Sequence, residues 1–169
     1  HPMVLSYADV LLHGRAVGRR VAIIGAGGIG FDVAEFLSHD AARPSPSQDI
    51  AELAREWGID MTLGSRGGTV PQPDLAAEMA QEIWLLQRKT SKVGDGLAKT
   101  TGWIRRTLLK RRNVKMLAGV SYEKIDDAGL HLRLGDESQV LDVDTIVMCA
   151  GQEPNRALLA ELQQAGKSV

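Results

Sequence analysis

The sequence has almost no cysteine. Its 169 residues include one cysteine, Cys149, so the chain cannot form an internal disulfide or supply an all-cysteine metal or iron–sulfur site. No run of about 20 apolar residues is present, which excludes a membrane-spanning helix. The start, His1-Pro2-Met3, has neither an initiator methionine nor a signal-peptide pattern, and we therefore expect a piece of a longer protein.

The near-neutral net charge of the chain is the sum of a basic segment and an acidic remainder. Twenty Lys and Arg residues stand against 21 Asp and Glu, and the mean hydropathy is -0.11, values typical of a soluble globular domain. The segment from Arg88 to Lys115 nevertheless carries a net charge of +9, with Asp95 as its only acid. It either meets an anionic ligand or partner or is a solvated face. Because nucleic-acid surfaces interleave aromatics with the charges and Trp103 is the only aromatic residue here, we expect no nucleic-acid partner.

The hydrophobic pattern predicts an α/β fold: a Rossmann-like, three-layer dinucleotide-binding domain with a central parallel sheet and an antiparallel β-meander crossover. Buried strands are indicated by continuous apolar runs, and the meander by short alternating runs separated by turns. The expected strands of the central sheet are residues 20–24, 82–87, 114–117 and 145–150, and the meander spans 120–143.

Residues 39–81 are expected to be an insertion that packs over the sheet or against a missing partner domain. Within it, Ile50, Leu53, Ala54 and Trp57 recur at i, i+3, i+4 and i+7, a spacing that predicts a helix with these residues on its buried face. Gly58 should end this helix.

A second helix, over residues 103–112, is strongly basic. We expect Trp103, Ile104 and Leu108 to face the core and the arginines to stay solvated. The residues before it, Lys99-Thr100-Thr101-Gly102, lack the glycine spacing of a Walker phosphate loop. We therefore expect Thr100 or Thr101 to cap the helix.

A glycine motif, Gly25-Ala26-Gly27-Gly28-Ile29-Gly30, lies between the strand at 20–24 and a helix expected from Phe31 to Ser38. Gly25 permits a tight turn, Gly27 lets the backbone approach a pyrophosphate, and Gly30 allows close packing of helix on strand. The helix N-terminus supplies amide donors and the positive end of the helix dipole. The pattern predicts dinucleotide binding by residues 25–30; the alternative is a glycine turn without a ligand.

Basic residues follow the expected strand at 82–87. NAD-binding folds carry an Asp or Glu there to hold the ribose 2′-hydroxyl, whereas a 2′-phosphate requires cations. Here the strand ends in Gln87, and Arg88, Lys89 and Lys92 follow, side chains that can bind a phosphate. This favours NADP(H) over NAD(H), although Arg88 lies 58 positions after Gly30 rather than the usual interval of about 20. The alternative is an exposed basic loop.

Three further residues have two interpretations each. Asp32, on the expected first helical turn, either faces the nicotinamide end of the cofactor or is an N-terminal acid favoured by the helix dipole. Gly151 either lets the backbone approach the cofactor or ends a strand in a turn. Cys149 is interpreted as a small core residue rather than a thiol nucleophile. Because the four histidines are scattered, we expect no catalytic residue and no metal site in this chain.

The detailed motifs resemble bacterial NADPH-dependent 2,4-dienoyl-CoA reductases, a family of flavoproteins. The resemblance covers essentially the whole chain, including residues 39–81. The motifs that carry it are His1-Pro2, residues 4–7, residues 21–32 with the glycine motif, Leu86-Gln87-Arg88-Lys89, residues 99–104 and the run Cys149-Ala150-Gly151-Gln152-Glu153-Pro154-Asn155.

The resemblance implies a larger parent protein with a TIM barrel that carries FMN and a 4Fe–4S cluster, and an FAD domain into which this chain is inserted. Residues 1–18 would lead from the FAD domain, 19–156 would form the NADP(H) domain, and 157–169 would return. NADPH would reduce FAD, and electrons would pass through the cluster and FMN to a dienoyl-CoA during unsaturated fatty-acid β-oxidation. The partners would be the flavin domain and the barrel of the same chain. We expect a cytoplasmic location and no membrane partner.

The resemblance assigns the pyrophosphate to Gly25, Gly27 and Gly30, and the 2′-phosphate to Arg88 and Lys89. Because the barrel, cluster cysteines and FAD motif have no counterpart here, we expect the chain alone to be inactive on the substrate. One alternative is a non-catalytic module that holds ADP as a structural ligand, as in the related trimethylamine dehydrogenases. Another is a nucleic-acid or protein-interaction surface on the basic helix.

Overall fold

The computed structural model describes residues 1–151 and 154–167. The strands in this part of the chain are β1 (Val4–Ser6), β2 (Arg20–Ile24), β3 (Glu82–Leu86), β4 (Lys115–Leu117), β5 (Val120–Asp126), β6 (Gly129–Leu134), β7 (Glu137–Leu141) and β8 (Thr145–Met148). The helices are α1 (Tyr7–Leu11), α2 (Gly28–Leu37), α3 (Ile50–Trp57), α4 (Gly102–Arg111) and α5 (Ala157–Gln164), with short 3-10 turns at Arg66–Gly68 and Leu75–Glu78. No helix among the described residues is long and apolar enough to cross a bilayer.

Five strands form one parallel sheet in the order β1-β8-β2-β3-β4. Parallel strands are covered on both faces, which explains why residues 21–24 are all apolar and buried. Strands β5, β6 and β7 form a separate antiparallel sheet. The expected α/β fold with a parallel sheet and a β-meander is confirmed. Strand β3 ends one residue and β8 two residues before the expected bounds.

Alternate residues of the central strand β2 point to opposite sides of the sheet. Val21 and Ile23 join an apolar cluster with residues of α1, α2 and α4. Ala22 and Ile24 join a second cluster with residues of β5, β6 and β8. The domain therefore has three layers, with helices on one face of the parallel sheet and the antiparallel sheet on the other.

The first residues of the chain are an integral part of this architecture. Strand β1 pairs with β8 at the edge of the parallel sheet, and Leu5 and Val10 are buried in the core. Helix α1 begins with a capping box, because Ser6 Oγ accepts from the Asp9 amide at 3.1 Å and the Asp9 carboxylate accepts from the Ser6 amide at 2.8 Å. Strand β1 and helix α1 are therefore part of the fold of this domain. The link of residues 1–18 to an FAD domain stays a prediction.

Helix α3 has the expected bounds and Ala54 is buried as predicted, but the rest of its buried face differs from the expectation. Gly58 ends it in the left-handed region at φ +64°, as expected. However, Ile50 is 69% exposed and Leu53 is also exposed, whereas Glu52 and Glu56 are buried. Arginines neutralise these buried acids: Glu52 pairs with Arg55 of the same helix and with Arg43, and Glu56 pairs with Arg112.

The arginines of helix α4 are not solvated, contrary to expectation. Leu108 is buried as predicted, but Trp103 is 55% exposed. Arg112, directly after the helix, is only 5% exposed and pairs with Glu56. Arg105 pairs with Asp32 and Glu35 of α2. One arginine of α4 thus pairs with acids of α2, and the arginine that follows the helix pairs with an acid of α3.

Three contacts complete the packing around α4. Arg106 donates to the Gly94 carbonyl at 2.7 Å, which ties the preceding loop to the helix. The Arg111 guanidinium lies 5.5 Å from the centre of the Trp57 ring of α3, a distance at which a cation–π attraction operates. Thr101 occupies the expected capping position, but its side chain makes no capping hydrogen bond.

Candidate dinucleotide-binding site

The carboxyl ends of three neighbouring strands bring the predicted site together. In the parallel pairings, Ile24 at the end of β2 lies opposite Leu86 of β3 on one side and Met148 of β8 on the other. The Gly25 amide donates to the Leu86 carbonyl at 2.9 Å, and the Cys149 amide donates to the Ile24 carbonyl at 2.8 Å. The loops that follow these strands therefore emerge side by side, at the edge where open α/β sheets bind ligands.

Two glycines of the motif at residues 25–30, the glycine loop, are required by close packing. Gly25 has φ +111°, and a Cβ atom there would lie 2.8 Å from the Cys149 carbonyl oxygen. A Cβ atom on Gly30 would lie 1.8 Å from the Gly25 carbonyl oxygen. Any larger residue would push helix α2 away from the turn after β2, so both glycines have the predicted structural roles.

The other two glycines leave open space. A Cβ atom on Gly27 or Gly28 would meet no atom within 4 Å, and both residues are exposed. Ala26 and Ile29 pack against the core and hold the turn in place. No side chain of the described residues caps the N-terminus of α2, so its first amide groups are available to an anion. The glycine loop thus combines room for a pyrophosphate with donors for it.

Helix α2 begins at Gly28, three residues before the expected start. The helix N-terminus therefore lies on the glycine loop itself, and Asp32 lies beyond the first turn. The interpretation of Asp32 as an N-terminal acid favoured by the dipole is wrong for this reason. Its carboxylate instead forms an ion pair with Arg105 of α4. The nicotinamide interpretation of Asp32 stays a prediction.

Three exposed cations follow β3, in the segment of residues 88–92 that we call the basic loop. They are Arg88, Lys89 and Lys92, and none pairs with an acid among residues 1–151 and 154–167. Although Arg88 is 58 positions after Gly30, β3 is the strand directly beside β2. The insertion at 39–81 therefore does not separate the basic loop from the glycine loop, because the two loops follow neighbouring strands.

One residue at this edge had no assigned role in the sequence interpretation. The side-chain amide of Gln87 donates to the carbonyls of Lys89 and Ser91, at 3.0 and 2.6 Å. Gln87 thereby closes the basic loop on itself. The feature of the sequence that could have indicated this role is an uncharged amide side chain at the strand end where NAD-binding folds carry an acid.

The loop after β8 contributes the third side of the site. Gly151 is exposed, with φ +82°, and a Cβ atom there would meet no atom of residues 1–151 and 154–167 within 4 Å. The predicted turn continues through Gln152 and Glu153, which lie outside the described residues. Burial raises the pKa of the Cys149 thiol to about 12, so Cys149 is a core residue rather than a nucleophile.

A cavity of about 1160 Å³ lies elsewhere, on the helix side of the domain. It is bounded by Phe36 of α2, Trp57 of α3 and Ile104 of α4, and its Arg105 and Arg112 are ion-paired. Among the described residues that line it, none belongs to the glycine loop or the basic loop. Asp32, one of the predicted cofactor-binding residues, does line the cavity, so the structure places it apart from the two loops at the strand ends.

A parallel sheet, an uncapped glycine loop at the start of a helix and a basic loop on the adjacent strand define a Rossmann-like dinucleotide-binding domain. The sequence profile of the pyridine nucleotide-disulphide oxidoreductases matches residues 5–169. The chain belongs to this family and is a dinucleotide-binding domain of an oxidoreductase.

Several solved structures share the fold. 2-Naphthoyl-CoA reductase is 17% identical with a TM-score of 0.63, the match covering 95% of this chain and 18% of that one. Histamine dehydrogenase from Rhizobium sp. 4-9 is 11% identical with a TM-score of 0.59, covering 97% and 20%. An HOCl-induced flavoprotein disulfide reductase from Escherichia coli is 16% identical with a TM-score of 0.53, covering 99% and 29%. The chain thus spans about a fifth to a third of the length of these proteins.

Proposed function

We propose that this chain is the NADP(H)-binding domain of a 2,4-dienoyl-CoA reductase, and that it positions NADPH for hydride transfer to an FAD held by the parent polypeptide. The observation that carries the choice of NADP(H) is the pair of exposed cations, Arg88 and Lys89, on the strand beside the glycine loop. A 2′-phosphate offers them a dianionic partner, which the 2′-hydroxyl of NAD(H) does not.

Different residues at the strand ends bind different parts of the cofactor. The amides at Gly27 and Gly28 hold the pyrophosphate, since this is the uncapped and open end of α2. Arg88 and Lys89 hold the 2′-phosphate, and Lys92 adds a third positive charge from the same loop. When bound, the cofactor supplies the hydride, while this chain supplies binding and orientation.

The nicotinamide end is assigned to the opposite side of the glycine loop. Gly151 leaves the backbone after β8 accessible on that side. Asp32 pairs with Arg105 of α4 and lines the helix-side cavity, so its assignment to the nicotinamide end rests on the motif resemblance alone. Neither residue exchanges a proton or forms a bond with the substrate, so the chain contributes no catalytic residue.

The parent protein and its substrate follow from the motif resemblance described above. The flavin domain and the TIM barrel would contain FAD, FMN and the 4Fe–4S cluster, and a dienoyl-CoA would be reduced in the barrel. Residues 1–18 and 157–169 would connect this domain to the FAD domain. The expected inactivity of the isolated chain and its cytoplasmic location remain predictions of the same proposal.

Nucleotide titration of the 169-residue chain tests the cofactor assignment. We expect NADPH to bind more tightly than NADH, and Arg88→Ala with Lys89→Ala to weaken NADPH binding at least about tenfold, because charge-assisted hydrogen bonds contribute about 1.5–3 kcal/mol each. NADH binding should change little. The matched control is Arg66→Ala with Lys110→Ala, which removes the same charge from exposed positions outside the site. Equal affinities for the two nucleotides, unaffected by the first variant, would contradict the proposal.

A structural ADP module is the second candidate, because the glycine loop would hold the pyrophosphate of ADP in the same way. ADP has no 2′-phosphate, so the exposed Arg88 and Lys89 would then have no ligand. Tight ADP binding that NADPH cannot displace, together with no NADPH-dependent flavin reduction in the parent protein, would favour the ADP module.

A further inference from the structure

The residue at the end of β3 controls the shape of the basic loop. The backbone of Gln87 is fixed on both sides, because its amide donates to the Leu117 carbonyl at 2.9 Å and its carbonyl accepts from the Val120 amide at 3.0 Å. Its side chain therefore starts from an anchored position between β3 and the β4–β5 connection.

The two side-chain hydrogen bonds of Gln87 fix the path of the next four residues. They run to the carbonyl oxygens of Lys89 and Ser91, and the Lys89 carbonyl also accepts from the Gly119 amide at 2.9 Å. The basic loop is thus held from within by the Gln87 amide and from outside by the β4–β5 connection. With the carbonyls of Lys89 and Ser91 bonded in this way, the loop leaves the side chains of Arg88 and Lys89 exposed.

Both acceptors of the Gln87 side chain are carbonyl oxygens, so a side chain at position 87 must carry hydrogen-bond donors to make these contacts. Among uncharged side chains of this length, the NH₂ group of glutamine is the one that can donate to two carbonyls at once. A carboxylate in its place would face two oxygen atoms without a proton to share. A Glu at position 87, the acid type that holds a ribose 2′-hydroxyl in NAD-binding folds, is therefore incompatible with this loop.

We propose that Gln87 is a positioning residue for cofactor selectivity: its amide holds the basic loop in the one conformation that directs Arg88 and Lys89 toward a 2′-phosphate. The inference rests on the proposed NADP(H) function. A preformed cation pair loses little conformational freedom on binding, and the gain appears as affinity for the phosphorylated nucleotide alone.

Gln87→Met and Gln87→Glu test this, since both keep the side-chain length and remove the amide donors. We expect each to lower the ratio of NADPH to NADH affinity at least about tenfold, the loss typical of a charge-assisted contact, with Gln87→Glu the more severe. A general loss of folding would weaken both nucleotides equally and leave the ratio unchanged. Gln139→Met and Gln139→Glu on the exposed strand β7 are the matched controls and should behave like the unaltered chain.

Limited trypsin digestion without any nucleotide gives a second readout. Cleavage after Arg88 and Lys89 should become several-fold faster in both Gln87 variants and stay unchanged in the Gln139 variants, because an unclamped loop opens more often. If the unaltered chain prefers NADPH, but the Gln87 variants keep both its affinity ratio and its cleavage rate, the inference about Gln87 is overturned and the proposed function is not. Equal NADPH and NADH affinities in the unaltered chain would overturn the proposed function, and the selectivity role of Gln87 with it.

Discussion

Replacing single glycines of the glycine loop by alanine should separate the stability of the domain from its affinity for a nucleotide. The two informative changes are Gly30→Ala and Gly27→Ala. At Gly30 the added methyl group would lie 1.8 Å from the Gly25 carbonyl oxygen, whereas at Gly27 it would meet no atom within 4 Å. The first change therefore strains the folded protein, and the second fills only the space that the pyrophosphate needs.

The magnitudes follow from these contacts. Overpacking a dense site costs about 1–3 kcal/mol, and because the atom contacted by Gly30→Ala is backbone, we expect the upper end, about 3 kcal/mol. A domain of this size loses about 2–4 °C in Tm for each kcal/mol, so its Tm should fall by about 6–12 °C. Gly27 stands at the N-cap of α2, where alanine is poorer than glycine, and Gly27→Ala should cost at most about 1 kcal/mol. Its NADPH affinity should fall at least about tenfold, the equivalent of about 1.4 kcal/mol.

Urea unfolding and NADPH titration of the same preparations are the assays. Gly96→Ala is the control, since a Cβ atom there meets nothing within 4 Å and the residue lies outside the glycine loop; both quantities should stay unchanged. A Gly30→Ala variant as stable as the unaltered chain would refute the packing argument. A Gly27→Ala variant with full NADPH affinity would refute the placement of the pyrophosphate.

Two further predictions concern the buried charges of α3. Arg112→Met should lower the free energy of unfolding, measured with urea, by about 3–5 kcal/mol, because it leaves Glu56, only 3% exposed, without its partner. Adding Glu56→Leu should recover most of this loss. A loss below about 1 kcal/mol in the single variant would contradict the role of the pair. The Arg55 guanidinium holds the pKa of Glu52 below its ordinary value of 4.5, so this stabilisation is complete above pH 4.5 and is lost as the pH falls through the lower pKa of the folded state. The Tm of the unaltered chain should therefore decrease more steeply below pH 4.5 than that of Glu52→Gln, and parallel decreases would argue against the pairing.

The elements that could be predicted from the sequence are those with a strong local signal. Strand β2 reads as an apolar run because both of its faces are covered, and the glycine loop has a spacing that few other structures need. The neighbourhood of β2 and β3 was also predicted correctly, although residues 39–81 lie between them, because the buried run at 82–87 is itself a clear strand signal.

The burial of charged residues could not be predicted in the same way. The apolar spacing of α3 indicated that Ile50 and Leu53 face inward, but the helix buries Glu56 instead, which pairs with Arg112 from a distant part of the sequence. Arg105 likewise finds Asp32 on another helix. Periodicity within one segment contains no information about such partners, so electrostatic pairing between segments overrode the local hydrophobic pattern. The role of Gln87 was missed because it depends on the path of the loop that follows.

The long excursion of the chain between β2 and β3 has a consequence for how the domain forms. The two halves of the nucleotide site lie about 60 residues apart, so they meet only when the strands pair. Closing a loop of about 60 residues instead of about 20 costs only about 1 kcal/mol more in chain entropy. The equilibrium therefore tolerates segments of very different length at this point of the fold. The effect falls on the rate instead, since non-local pairing slows folding, and the ability to bind a nucleotide should appear among the last events as the domain assembles.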